Sequence, residues 1–139
     1  MVWGKLCGVA CAFAFVFVFS DHASAESAKR FSGTASFYNQ PGKVASGGRY
    51  HPYAMTCAHR TLPFGTRLQV TDRKTKRSVV VTVNDRGPFV SGRNLDLSLG
   101  AAQALGMTGR GLIDFVANVQ FTPKTPWRYG VRKPVHRDI

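Results

Sequence analysis

From Ile113 to Phe121 the chain alternates: Ile113, Phe115, Ala117, Val119 and Phe121 fall on one side, and Asp114, Asn118 and Gln120 on the other. A period of two in side-chain direction belongs to an extended strand with one face buried and one wetted. The same period recurs upstream. Thr34 to Tyr38 opens with β-branched and aromatic residues, Arg67 to Thr71 sets Leu68 and Val70 on one face, and Ser78 to Val83 returns as a valine-rich run. The charged segment Asp72-Arg73-Lys74-Thr75-Lys76 between the last two reads as the turn of a hairpin. Asn39 to Pro52 is rich in Gly, Ser and Pro and reads as a long loop. Only Ser98 to Leu105 has helical character, with Ser98 at the N-cap and Gly106 where the helix would stop. The expectation is a mainly β domain over residues 31–121 with one or two short helices.

The chain of 139 residues suffices for one ordinary domain. Its start has a different character. Lys5 precedes an apolar run from Leu6 to Phe19, and Ala23-Ser24-Ala25 then supplies a small-residue cleavage site, which predicts a signal peptide over 1–25 and export to the periplasm, envelope or medium. The run is short of the roughly 20 residues of a membrane span. Cys11 lies too early in the leader for a lipoprotein box, so no lipid anchor is expected. Residues 26–30 form a short linker. Cleavage removes one charge of each sign, Lys5 and Asp21, so the formal charge of +12 belongs to the exported part. Such a balance implies an anionic partner, and export argues against nucleic acid. From 122 to 139 a proline-interrupted tail carries Lys124, Arg128, Arg132, Lys133 and Arg137, a surface that suits an anionic envelope. Cys57 is the one cysteine outside the leader, which precludes an intramolecular disulfide; it reads as a small core residue.

Several chemistries have no support. There is no Walker loop, no dinucleotide-binding glycine pattern and no G-x-S-x-G elbow. His51, His59 and His136 lack ligand spacing, so neither metal nor cofactor is expected. Carboxylate, histidine and hydroxyl groups remain. Asn84-Asp85-Arg86-Gly87-Pro88-Phe89 places a carboxylate in a tight turn directly after a strand, in a chain poor in acids, and Asp85 is therefore the first candidate for acid–base work. The same residues are good turn formers, and that structural reading stands beside it. Asp72 and Asp96 sit in contexts that read as structural, Asp96 through hydrogen bonds to backbone amides ahead of the helix.

Five segments taken in order carry a resemblance: Gly33–Tyr38, Ala45–Tyr50, Met55–Thr66, Val83–Phe89 and Arg93–Ser98. The compound pattern A-H-x-T-L-P-F-G-T, then N-D-R-G-P-F, then D-L-S resembles the rare lipoprotein A (RlpA) family. The resemblance implies a six-stranded double-psi β-barrel. It also implies an endolytic lytic transglycosylase that cuts peptidoglycan glycan strands lacking stem peptides. The family's acidic position falls on Asp85, as general acid/base, and its histidine on His59, which would orient substrate or hydrogen-bond Asp85. Where the family carries a glutamate this chain has Gly48, and His51 stands three residues later in place of an aspartate.

Asn84 and Arg86 are candidates to bind the N-acetyl and lactyl groups, Arg86 being equally a structural arginine. Tyr38 and Tyr50, with Phe37, are candidates to stack on sugar faces. A single carboxyl can serve such an enzyme, because the muramoyl C6 hydroxyl of the substrate is its own nucleophile. The rival reading is a non-catalytic, expansin-like wall-binding module on the same fold; a basic protein held on anionic lipid by its tail is a third. A monomer is expected.

Overall fold

The computed structural model describes residues 29–125. The leader expected over 1–25 and residues 126–139 of the tail lie outside the described residues. Within them the chain forms β1 (Arg30–Tyr38), β2 (Thr56–Ala58), β3 (Arg67–Asp72), β4 (Ser78–Asp85), β5 (Leu95–Ser98), α1 (Leu99–Leu105) and β6 (Ile113–Phe121). The strands close into a barrel in the order β1-β5-β2-β4-β3-β6. β1 with β5 and β2 with β4 are parallel, and the remaining neighbours are antiparallel. This is the double-psi β-barrel that the motifs imply, with one helix among the described residues.

Alternation decides which side chains fill it. Leu68 and Val70 of β3, Val81 and Val83 of β4, Leu95 and Leu97 of β5 and Phe115 of β6 are wholly buried in one core. On β6 the pattern holds for Ile113, Phe115 and Ala117; Val119 is only partly buried and Phe121 is 55% exposed, as the strand runs past the barrel end. The β3–β4 hairpin forms as the charged turn predicts, with Arg67 opposite Thr82 and Thr71 opposite Ser78. Asp72 organises that turn: its carboxylate accepts the amide of Lys74 at 2.8 Å and pairs with the guanidinium of Arg110.

The helix starts and stops as expected. Ser98 Oγ accepts the Ala101 amide, and Gly106 takes a left-handed φ of 66°. Its buried face, Gly100, Ala101, Ala102 and Leu105, seals one side of the core. Two strands went unread in the sequence. β2 and β5 have three and four residues, and each lies between two neighbours that supply its pairing. Cys57 sits on β2 with its thiol wholly buried, and burial raises its pKa well above the usual thiol range, in keeping with a core residue.

Candidate functional site

The site is built on the outer side of β5, β2 and β4. Along β2, Cys57 faces Val83 across the parallel pair with β4, but Ala58 faces Asp85, because the register slips between them. Asn84 is the extra residue. A bulge of this kind re-aims the next side chain; without it Asp85 would follow Val83 in regular alternation and share the core-facing side. On its other flank Ala58 is in register with Asp96 of β5. Two carboxylates therefore stand on either side of one small, buried alanine.

Their surroundings differ. Asp85 Oδ1 accepts two backbone amides, Ala45 at 2.8 Å and Arg86 at 2.8 Å, which leaves Oδ2 as the oxygen without a partner among the described residues. The amide of Ala45 comes from the loop between β1 and β2, folded on itself by hydrogen bonds from Val44 N to the Gly48 carbonyl and from Gly47 N to the Val44 carbonyl. Ser46 N also donates to the carbonyl of Asn84, so the loop is laced to the bulge at two points. Asp96 lies half-buried between Leu95 and Leu97, which face the core. Burial raises its pKa above the ordinary carboxylate value, opposed by the Ser36 hydroxyl donating at 2.9 Å and by Arg93, and reinforced by the negative charge of Asp85. The expectation that Asp96 would bond amides ahead of the helix is not met: Ser98 caps the helix, and Asp96 receives Ser36. A half-buried acid set one residue across from a second carboxylate is suited to act as proton donor beside a proton acceptor.

Other sequence candidates fall differently. His59 follows Ala58, and its backbone N–H donates to the carbonyl of Asp85 at 3.2 Å. Its ring makes no hydrogen bond to Asp85 among the described residues. Nδ1 instead accepts the amides of Thr61 and Leu62, and the ring meets Phe31 edge-on with centroids 5.5 Å apart. Burial, then Arg86, Arg60 and Lys29, lower its pKa, and because Nδ1 accepts two amides, the ring's proton belongs on Nε2.

Arg86 is a brace rather than a free ligand. Its guanidinium donates to the carbonyls of His59 and Leu62 and lies 3.8 Å from the centre of the Phe64 ring. Arg60 braces the segment between β4 and β5, donating to the carbonyls of Pro88, Val90 and Arg93. Tyr50 is buried and its hydroxyl is fully engaged, donating to the Tyr38 carbonyl at 2.7 Å and accepting the Leu99 amide at 3.2 Å, so it presents no face to a sugar. Phe37 packs against the core. Tyr38 stacks on Tyr50 with centroids 4.7 Å apart. The carbonyl oxygen of the Asn84 side chain is buried without a partner among the described residues, which keeps Asn84 at the site.

An open aromatic surface beside the site is Phe89, 81% exposed on the turn that follows Asp85; Tyr53 is exposed as well. Phe89 closes the N-D-R-G-P-F pattern, a turn position that carries no strand period. Asp96 stands between two leucines in the sequence, but four residues carry no period that would fix its face.

Residues 30–117 match the family described as lytic transglycolase. Among curated proteins, one of Nostoc sp. (strain PCC 7120) named "Probable endolytic peptidoglycan transglycosylase RlpA" is 56% identical over 87 residues, covering 59% of this chain and 24% of its own. The "Endolytic peptidoglycan transglycosylase RlpA" of Pasteurella multocida is 46% identical over 83 residues, covering 58% and 28%. The chain thus spans about a quarter of the length of these relatives. Among solved structures, the fold resembles the Streptomyces papain inhibitor, with TM-score 0.55 and 21% identity over 65% of this chain and 93% of that one. It resembles the apo expansin of Clavibacter michiganensis equally, with TM-score 0.55 and 25% identity over 70% of this chain and 54% of that one.

Proposed function

The chain belongs to the lytic transglycolase family and to its RlpA branch, and from that membership we propose that it is an exported endolytic transglycosylase of peptidoglycan glycan strands. It prefers stretches lacking stem peptides and leaves 1,6-anhydromuramoyl ends. The observation that carries the reading is the pair of carboxyls flanking Ala58. Asp96, with its raised pKa, protonates the glycosidic oxygen as the bond to the leaving sugar breaks. Asp85, through Oδ2, accepts the proton of the muramoyl C6 hydroxyl, which attacks the anomeric carbon of its own ring. Because that attack is intramolecular, no water has to be placed between the carboxyls, and the sugar ring supplies the positioning. Asp96 thus provides a second carboxyl in a chain whose position 48 is glycine. Phe89 offers the flat apolar face on which a neighbouring sugar rests.

The test is digestion of peptide-free glycan strands, with mass analysis of the products. The wild type is expected to yield anhydromuramoyl ends; Asp85→Asn and Asp96→Asn are each expected to lose turnover by roughly 10²–10⁴-fold while retaining the fold. A wild type that binds the strands without producing anhydro ends favours a second reading, a wall-binding module. The likeness to an expansin and the glycine at position 48 support that alternative.

A further inference from the structure

One polar atom of the site has no function in the scheme above. Ser36 and Tyr38 share the outer face of β1, two residues apart; Ser36 is in register with Asp96 and Tyr38 with Ser98. The Tyr38 ring cannot swing away, because it stacks on Tyr50 while its own carbonyl receives the Tyr50 hydroxyl. Its phenolic oxygen is nevertheless buried without a hydrogen-bond partner among the described residues. An orphaned buried hydroxyl is destabilising, a cost that phenylalanine, of the same shape, would not incur.

The register sets Tyr38 diagonally across β5 from Asp96, which shares Ala58 with Asp85, so the hydroxyl belongs to the same face as the two acids. Burial raises its pKa first, and of the neighbouring groups Asp85 acts on it most, then Tyr50 and then Asp96. The phenol accordingly stays protonated and is a permanent donor beside two carboxyls. Asp85 Oδ2 and Asp96 Oδ2 are also without partners among the described residues. A phosphate or carboxylate would be repelled by the two acids. The group that satisfies such a set must accept from the phenol and donate to a carboxylate, which is what an uncharged sugar hydroxyl does.

We propose that the Tyr38 hydroxyl, rather than its ring, is a substrate-positioning group that donates to a glycan hydroxyl and holds it against Oδ2 of Asp85. This rests on the proposed reading of the site as a glycan site. Tyr38→Phe isolates the oxygen. Binding of peptide-free glycan strands, prepared from amidase-treated sacculi, is measured by titration calorimetry at fixed pH, alongside the thermal midpoint and the release of anhydro ends.

The expected result is about tenfold weaker strand binding, the scale of one hydrogen bond, with a thermal midpoint equal to or above that of the wild type. Unchanged binding and turnover in Tyr38→Phe would overturn the proposal and leave the catalytic reading standing. A midpoint lowered as far as that of Tyr38→Ala would overturn it too, because the hydroxyl would then be holding the fold. If the wild type releases no anhydro ends but Tyr38→Phe still weakens binding with its midpoint preserved, the catalytic reading fails and the positioning role holds.

Discussion

Asp96 has a raised pKa in the fold, and a buried acid of this kind carries a thermodynamic signature separate from catalysis. Between its ordinary value near 4 and its higher folded value the native state binds more protons than the unfolded chain, so stability falls as pH rises through that window. Asparagine at this position keeps an oxygen for the Ser36 hydroxyl and removes the charge. Asp96→Asn is therefore expected to melt at or above the wild-type temperature at pH 7 while its glycan cleavage is lost, and to show no such gain at pH 3, where both proteins are uncharged at this position. Calorimetric scans at the two pH values check it, and a lower melting temperature at pH 7 contradicts the burial argument. Phe89 is the opposite case. Its side chain stands mostly in solvent, so Phe89→Ala is expected to change stability by no more than about 0.5 kcal/mol while weakening strand binding several-fold, measured by the same titration as for Tyr38.

Elements with enough residues to show a period were legible. β3, β4 and β6 and the helix with both its ends follow from alternation, capping and turn chemistry in the chain itself. β2 and β5 were not, because three or four residues carry no period and their extended form is imposed by neighbours distant in sequence. The same gap hid half of the site. Asp85 was readable from its turn, but the bulge that turns it outward and the register that sets Asp96 beside the same alanine are properties of pairing, and pairing is tertiary. Of the two readings open for Arg86 the structural one holds, and Tyr50 departs from the sugar-stacking expectation for a related reason: a guanidinium or a phenol that could bind substrate is absorbed here by backbone carbonyls and an amide that only the fold delivers. The short helix is where an element-level claim can be tested. A Cβ on Gly100 would sit 2.8 Å from the backbone of Tyr53, and the Gly100 amide donates to the Pro52 carbonyl. Gly100→Ala would gain up to about 1 kcal/mol of helix propensity, yet the clash with backbone is expected to dominate and destabilise the protein by roughly 1–3 kcal/mol. Denaturant unfolding of the variant checks this, and a gain in stability would mean that the loop carrying Tyr53 yields easily.

For the molecule as a whole, charge acts in two regimes that salt and pH separate. Asp72 is wholly buried, and although burial alone would raise its pKa, the Arg110 guanidinium and the amides of Lys74 and Thr75 outweigh it and bring the value down to about 2. Stability from this group is fully present above its unfolded value near 4 and is lost as pH falls toward 2. Arg110→Ala leaves the carboxylate buried with only its amide donors and is expected to cost about 3 kcal/mol at pH 7, a loss that 0.5 M salt does little to change. The excess of cations, a formal +12 over the chain, obeys the other rule. Arg73, Lys74, Lys76 and Arg77 crowd the β3–β4 turn on the exposed surface, and residues 122–139 add Lys124, Arg128, Arg132, Lys133 and Arg137 against Asp138. Attraction between these and an anionic wall runs through water, so it is screened once the Debye length falls below roughly 10 Å, near 0.1 M salt. Co-sedimentation with purified sacculi is expected to weaken steeply between 0.05 and about 0.5 M salt, and truncation after Phe121, where the last strand ends, to weaken it further without lowering the melting temperature. Glycan cleavage on short peptide-free strands should depend on salt far less steeply, because there the carboxyls meet the sugar at contact distance. Salt-independent sedimentation, or a truncated barrel that melts early, would place the tail in the fold rather than at the wall.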